Sequence, residues 1–189
     1  MAEPAGGFLS SPLVLLWHAG ATIAFTRYSF RDPQMDLRFL VLGAVLPDLI
    51  DTPIGFALWP SVQNVRLASH SLLFAGVIMA VVLVVTRRGR PRKRWMPVAI
   101  GVLLHQVFDA MWREPETLWW PFQGWEFSST GFATVSEYLT WLVTDPTTWL
   151  LEAVGLAYLV FLAYRSKLTH RATLAAFFKT GRVQAPIGR

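Results

Sequence analysis

Five nearly uncharged stretches, residues 8–26, 39–59, 70–86, 95–112 and 147–164, constrain this chain more than any other feature of its sequence. Each is close to the roughly 17–25 residues that a helix needs to cross a bilayer core of about 30 Å. Short segments holding most of the Arg, Pro and Asp separate them. Together they leave too little polar surface for a soluble bundle, and composition agrees. Hydrophobic residues make up 53% of the 189 and charged ones 15%, against roughly 45–50% and about 25% in soluble domains. The expected fold is all-α, a polytopic transmembrane bundle of about five spans. Residues 1–166 form one domain and 167–189 a basic cytoplasmic tail. The first span lacks a basic flank and reads as retained rather than as a cleaved signal. Pro47 and Pro53 fall inside the second span, which predicts a helix broken there.

Charge placement orients this bundle. With residues 87–94 in the cytoplasm, fifteen of the 17 Lys and Arg lie inside and only Arg66 and Arg113 outside. That asymmetry predicts an amino terminus outside and a carboxy terminus inside a cell membrane. Seven of the nine tryptophans, Trp59, Trp112, Trp119, Trp120, Trp125, Trp141 and Trp149, then gather at the outer interface, and Trp95 marks the inner one. The outer loop, residues 113–146, is long enough for an interfacial helix around Tyr138–Val143 that acts as a lid. The basic cluster at 87–94 lacks the interleaved aromatics of a nucleic-acid surface, so no nucleic-acid partner is expected, and membrane lipids are.

Ionisable groups within spans are expensive, roughly 2.5–3.5 kcal/mol each at the centre of a helix, and so point to function. Here they are His18, Asp48, Asp51, His70, His105, Asp109 and Glu152. At 1.5 Å per residue, His18, Asp51, His105 and Asp109 fall roughly 5–15 Å below the outer boundary, with His70 at the boundary. His105 and Asp109 share one helix face, being four apart, and Asp48 and Asp51 are three apart. Several carboxylates buried together require a counter-charge, which a divalent cation supplies. Cysteine is absent, so the ligands must be imidazole and carboxylate, a set suited to Zn above all, with Mn or Fe as further candidates.

At these residues the chain resembles the YdjM-like, LexA-binding family of inner-membrane-associated, metal-dependent hydrolases. The likeness runs from His18 to Phe122. It rests on His18, Gly43-Ala-Val-Leu-Pro-Asp-Leu-Ile-Asp51, Ser69-His70-Ser71-Leu72-Leu73, Gly101-Val-Leu-Leu-His105-Gln-Val-Phe-Asp109 and Trp119-Trp-Pro-Phe122. The resemblance implies metal-site roles for Asp48, His70, His105 and Asp109, with His18 as the first ligand. Two positions depart from the pattern. Asp48-Leu-Ile-Asp51 stands where the family has Asp-x-Asp, and no second His precedes Ser69-His70, which implies fewer ligands or one metal fewer.

The chemistry expected of such a site is hydrolysis by metal-activated water. Asp48 is read as ligand or general base, Asp51 as a bridging or supporting catalytic group, and Glu152 as an alternative base. Arg66 and Arg113 are candidates to hold a substrate phosphate, and a phospholipid or other lipid-linked ester is the expected substrate. His170 is expected to take no part. No Gly-x-Ser-x-Gly elbow, P-loop or dinucleotide fingerprint is present. Two competing readings are a proton or metal-ion transporter built on the intramembrane His and Asp groups and the broken second helix, and a non-catalytic membrane adaptor holding a structural ion.

Overall fold

The computed structural model describes residues 14–183, and among them every regular element is helical. In chain order these are α1 (Leu15–Phe30), α2 (Leu37–Ala57), α3 (Trp59–Val62), α4 (Leu72–Val85), α5 (Arg90–Phe108), α6 (Pro115–Leu118), α7 (Val135–Thr144), α8 (Pro146–Arg165) and α9 (Arg171–Thr180). Short 3₁₀ turns at Ala68–His70 and Met111–Arg113 precede α4 and follow α5. The start of the first expected span, residues 8–13, lies outside the described residues.

Side chains at the helix ends explain where the elements begin. Asp36 accepts from the Arg38 amide at 3.1 Å, Ser71 from Phe74 at 3.1 Å and Thr134 from Glu137 at 3.2 Å. Asp145 accepts from Thr148 at 2.9 Å and is followed by Pro146, whose missing N–H costs nothing in a first turn. Among the described residues helix α1 has no local side-chain cap, Val14 at its N-cap position offering none. Instead Glu152, reaching from α8, accepts from the amides of Leu16 at 2.9 Å and Trp17 at 3.3 Å. Glu152 therefore neutralises orphan donors at a positive helix end, and the expectation of a catalytic base gives way to this cap. Glu152→Ala is expected to cost about 1 kcal/mol, readable as a lower melting temperature, whereas Glu152→Gln keeps the acceptor and most of the stability.

Helix α2 packs chiefly on α5 and α1 chiefly on α8, with α1 and α4 flanking the central pair. Glycines permit both close crossings. A Cβ on Gly43 would strike the Val98 carbonyl of α5, and one on Gly20 would lie 2.6 Å from the Gly155 carbonyl oxygen of α8. Small residues at such crossings let backbones approach where lipid offers no hydrophobic drive. This clamp also corrects an expectation, because α2 runs unbroken through Pro47 and Pro53. Each proline removes one ladder bond, yet Gly43, Ala44, Pro47, Asp48 and Asp51 are all buried against neighbouring elements that hold the helix together.

Helices α2 and α8 are long and apolar enough to cross a membrane. Helix α4 has 14 residues, about 21 Å at the standard rise, and α5 starts at Arg90, within the basic run expected to be a loop. Pro91 in the first turn of α5 favours that early start. One apolar cluster, Ile23, Leu37, Leu40, Leu162 and Val183, closes one end of the bundle, and the tail contributes to it through Val183. A second, Trp59, Val65, Tyr138 and Leu142, seats α7 at the other end. Between them lies a buried polar layer.

Candidate metal centre

Four elements build this layer. Helix α1 contributes His18, α2 Asp48 and Asp51, the 3₁₀ turn His70, and α5 with its C-cap His105 and Asp109. All six are at most 4% exposed, well below the ordinary lot of ionisable side chains.

The histidines are oriented from behind. His18 Nδ1 donates to the Val14 carbonyl at 2.8 Å, His105 Nδ1 to the Ala44 carbonyl at 2.7 Å and His70 Nδ1 to Asp51 Oδ2 at 2.8 Å. A neutral ring whose Nδ1 carries the proton presents a bare lone pair at Nε2, and the three Nε2 atoms converge. His105 Nε2 lies 3.1 Å from His70 Nε2, and the His18 and His105 rings stack with centroids 4.3 Å apart. Carboxylate oxygens complete the group. Asp109 Oδ1 is 2.9 Å from His18 Nε2, outside hydrogen-bonding geometry, and Asp109 Oδ2 is 3.7 and 3.8 Å from the Nε2 atoms of His70 and His105. Asp48 Oδ1 is 3.3 Å from His70 Nε2 and 3.7 Å from His105 Nε2, yet neither Asp48 oxygen has a hydrogen-bond partner.

Lone pairs facing lone pairs in a buried site repel unless a positive charge lies among them. Two overlapping triads, His18–Asp48–His105 and His70–His105–Asp109, each bring their ligand atoms within 4.8 Å of one another. The residues present thus fit a divalent cation: three fixed imidazoles, one orphaned carboxylate and a second carboxylate shared with Arg66.

Asp51 stands behind the candidate ligands. Its oxygens accept from the amides of Leu67 at 2.8 Å, Ser69 at 3.0 Å and His70 at 3.2 Å besides the His70 ring. It aims the His70 ring and fixes its tautomer, which is a positioning role. Asp51→Asn is expected to weaken metal binding roughly 10–100-fold while the protein stays folded, as measured by competition against a chelator of known affinity.

Arg66 is buried and joins the centre from the other side. Its Nε donates to Asp109 Oδ2 at 2.8 Å and its Nη1 to Glu114 Oε1 at 2.6 Å, while Nη2 has no partner. Burial opposes the guanidinium charge, but Asp109 and Glu114 overcome it and raise the Arg66 pKa above its ordinary value. Arg113 is exposed and stays apart from this group, and His170 precedes α9 without joining either triad. Ser69 and Ser71 are structural: one hydroxyl bonds the Pro47 carbonyl at 3.0 Å and the other caps α4.

Four contributors escaped the sequence reading: Asn64, Gln106, Glu114 and Tyr138. Gln106 Nε2 donates to the Ser69 carbonyl at 3.1 Å, and the Asn64 side chain reaches Glu114 at 3.4 Å and the Ser128 carbonyl at 2.6 Å. Tyr138, read only as part of a lid helix, is 1% exposed with an unpartnered hydroxyl. Gln106 stands three residues before Asp109 and could have been found by that spacing, whereas Asn64, Glu114 and Tyr138 follow no helical period shared with the candidate ligands.

The model of the YdjM inner membrane protein family matches residues 15–176. No curated protein and no solved structure matches the chain.

Proposed function

Because the chain belongs to the YdjM inner membrane protein family, we propose that it is a multi-pass membrane protein whose buried His/Asp centre is a divalent-metal-dependent hydrolase site. The observation that carries the reading is the convergence of three Nε2 lone pairs on two carboxylates, with every Nδ1 proton engaged elsewhere. In this reading His18, His70, His105 and Asp109 hold the ion, and Zn is the metal best matched to that donor set. When bound, the ion supplies a Lewis acid and lowers the pKa of a water from about 15.7 towards about 7.

The chain's own groups do the rest. Asp48, with both oxygens unpartnered, takes the proton from the attacking water. Arg66 offers Nη2 to an anionic oxygen of the substrate while its other nitrogens hold Asp109 and Glu114. A site roughly 10 Å below the outer boundary is reached by a headgroup or ester more readily than by a large soluble substrate, so the substrate class is a phospholipid or another lipid-linked phosphoester. The five-span topology, with the amino terminus outside and the carboxy terminus in the cytoplasm, belongs to the same proposal and rests on the distribution of Arg and Lys.

Transport loses one of its two supports with the continuity of α2, since it rested on a proline-broken helix as well as on the buried His and Asp groups. The test is turnover. Purified protein loaded with Zn or Mn is incubated with phospholipid vesicles and a panel of lipid-linked phosphoesters, and products are followed by ³¹P NMR. Release of a phosphorylated headgroup or free phosphate by the parent, reduced at least 100-fold in Asp48→Asn that still binds metal, is the expected result. A metal-loaded, folded parent that cleaves no member of the panel would sink the hydrolase reading.

A further inference from the structure

A second concavity lies at the other end of the molecule. A cleft of about 640 Å³ opens between the α1–α2 turn, the first turns of α5 and the end of α9. Asp36, on its wall, precedes Asp48 by twelve residues, about 18 Å along α2, so the cleft is separate from the metal centre. Arg38, Lys93, Arg94, Lys179 and Arg182 line it.

Their charges are poorly compensated. Arg38 is ion-paired, with Nη2 2.7 Å from Asp36 Oδ2, and its Nη1 donates to the Phe178 carbonyl. Among the described residues none of the other four forms a salt bridge: Arg94 lies over the Phe39 ring at 5.1 Å and Arg182 Nε donates to the Gln34 carbonyl at 3.2 Å. Asp32 is the remaining acid on the wall, and one of its oxygens already accepts from the Gln34 amide. Cations gathered around one concavity repel each other and raise the local concentration of anions. Guanidinium and ammonium groups converging there match the oxygens of a phosphate.

The surroundings say where that phosphate comes from. Trp95 directly follows Arg94 and is 44% exposed, and Phe178, beside Lys179, is 65% exposed. Leu174 adds a further exposed apolar side chain one turn earlier on α9. Basic groups next to exposed aromatics are the pattern of an element lying in a lipid interface. We propose that this cleft binds the phosphate of an anionic lipid headgroup, with the acyl chains running past Trp95 and Phe178. Basic pockets between helices on the cytoplasmic side serve this purpose in membrane proteins generally. The site is independent of the metal centre and of its chemistry.

The test uses the full chain in detergent, with phosphatidylglycerol, phosphatidylcholine or inorganic phosphate added and bound lipid counted by native mass spectrometry. Phosphatidylglycerol should be retained in preference to phosphatidylcholine. The triple variant Lys93→Gln, Lys179→Gln, Arg182→Gln should weaken that retention about a hundredfold, three interfacial cations being lost. A control that removes equal charge elsewhere, Arg87→Gln, Arg88→Gln, Arg171→Gln, should leave it within a few-fold of the parent. Equal retention of the two lipids, or equal losses in both triple variants, overturns the site. Retention that millimolar inorganic phosphate abolishes overturns the lipid as its source and leaves a phosphate site. All six substituted side chains are exposed, so folding is not at stake.

Discussion

His105→Ala is expected to purify with essentially no divalent metal, having lost more than the roughly 100-fold that removal of an outer partner costs. The residue is common to both candidate triads, so neither triad survives without it. Its ring is also the middle member of the group, stacked on His18 and in edge contact with His70, whose centroid is 5.0 Å away. Elemental analysis of detergent-purified protein measures the loss directly, and circular dichroism checks that the helices remain. A second readout guards against a trivial loss of fold. Metal that binds only the native state at a thousand times its dissociation constant adds about 4 kcal/mol of stability. The melting temperature of the parent should therefore climb on metal addition while that of His105→Ala, or of the gentler His105→Gln, stays flat. A folded His105→Ala that keeps stoichiometric metal would remove this residue from the centre.

The second large effect is steric. Alanine in place of a mid-helix glycine ordinarily stabilises by up to about 1 kcal/mol, but at Gly43 the sign should reverse. A Cβ there would fall on the backbone of Val98, and on the opposite helix a Cβ at Gly101 would fall on the Leu40 carbonyl. Backbone cannot rotate aside as a flexible side chain can, so α2 and α5 would have to separate at a cost of about 3 kcal/mol or more. That same crossing carries Asp48 on one helix and His105 on the other. Gly43→Ala should therefore lose metal as well as stability, whereas Gly76→Ala in α4, with open space around its Cβ, should be neutral or slightly stabilising. Thermal melts monitored by size-exclusion chromatography compare the two. Equal melting temperatures would show that the helices tolerate a wider crossing.

Much of this was legible beforehand because it is local or thermodynamic. Apolar runs with few charges between proline-, arginine- and aspartate-rich breaks specify helices, and α2, α5 and α8 follow them within a few residues. Histidine and aspartate in such runs are too costly to be incidental, so His18, Asp48, His70, His105 and Asp109 could be singled out together. What was misread depended on contacts across the fold. Pro47 and Pro53 were expected to break α2, but a local penalty of a few kcal/mol is overridden when one continuous face of the helix, including Gly43, Ala44, Pro47, Asp48 and Asp51, is packed against its neighbours. Glu152 resembled a base and is a cap, because its partners Leu16 and Trp17 lie more than 130 positions away. Arg66 and Arg113 looked equivalent, yet one is buried between Asp109 and Glu114 and the other is exposed.

Sequence by itself determined the helical class, the apolar character and the identity of the groups able to hold a cation, since composition and period act on each segment independently. Tertiary structure alone decided which nitrogen of His70 and of His105 faces the centre. The deciding acceptors, the Ala44 carbonyl for His105 and the Asp51 carboxylate for His70, sit 61 and 19 residues away. A hydrogen bond's direction follows from where packing brings its acceptor, and no spacing along the chain records that.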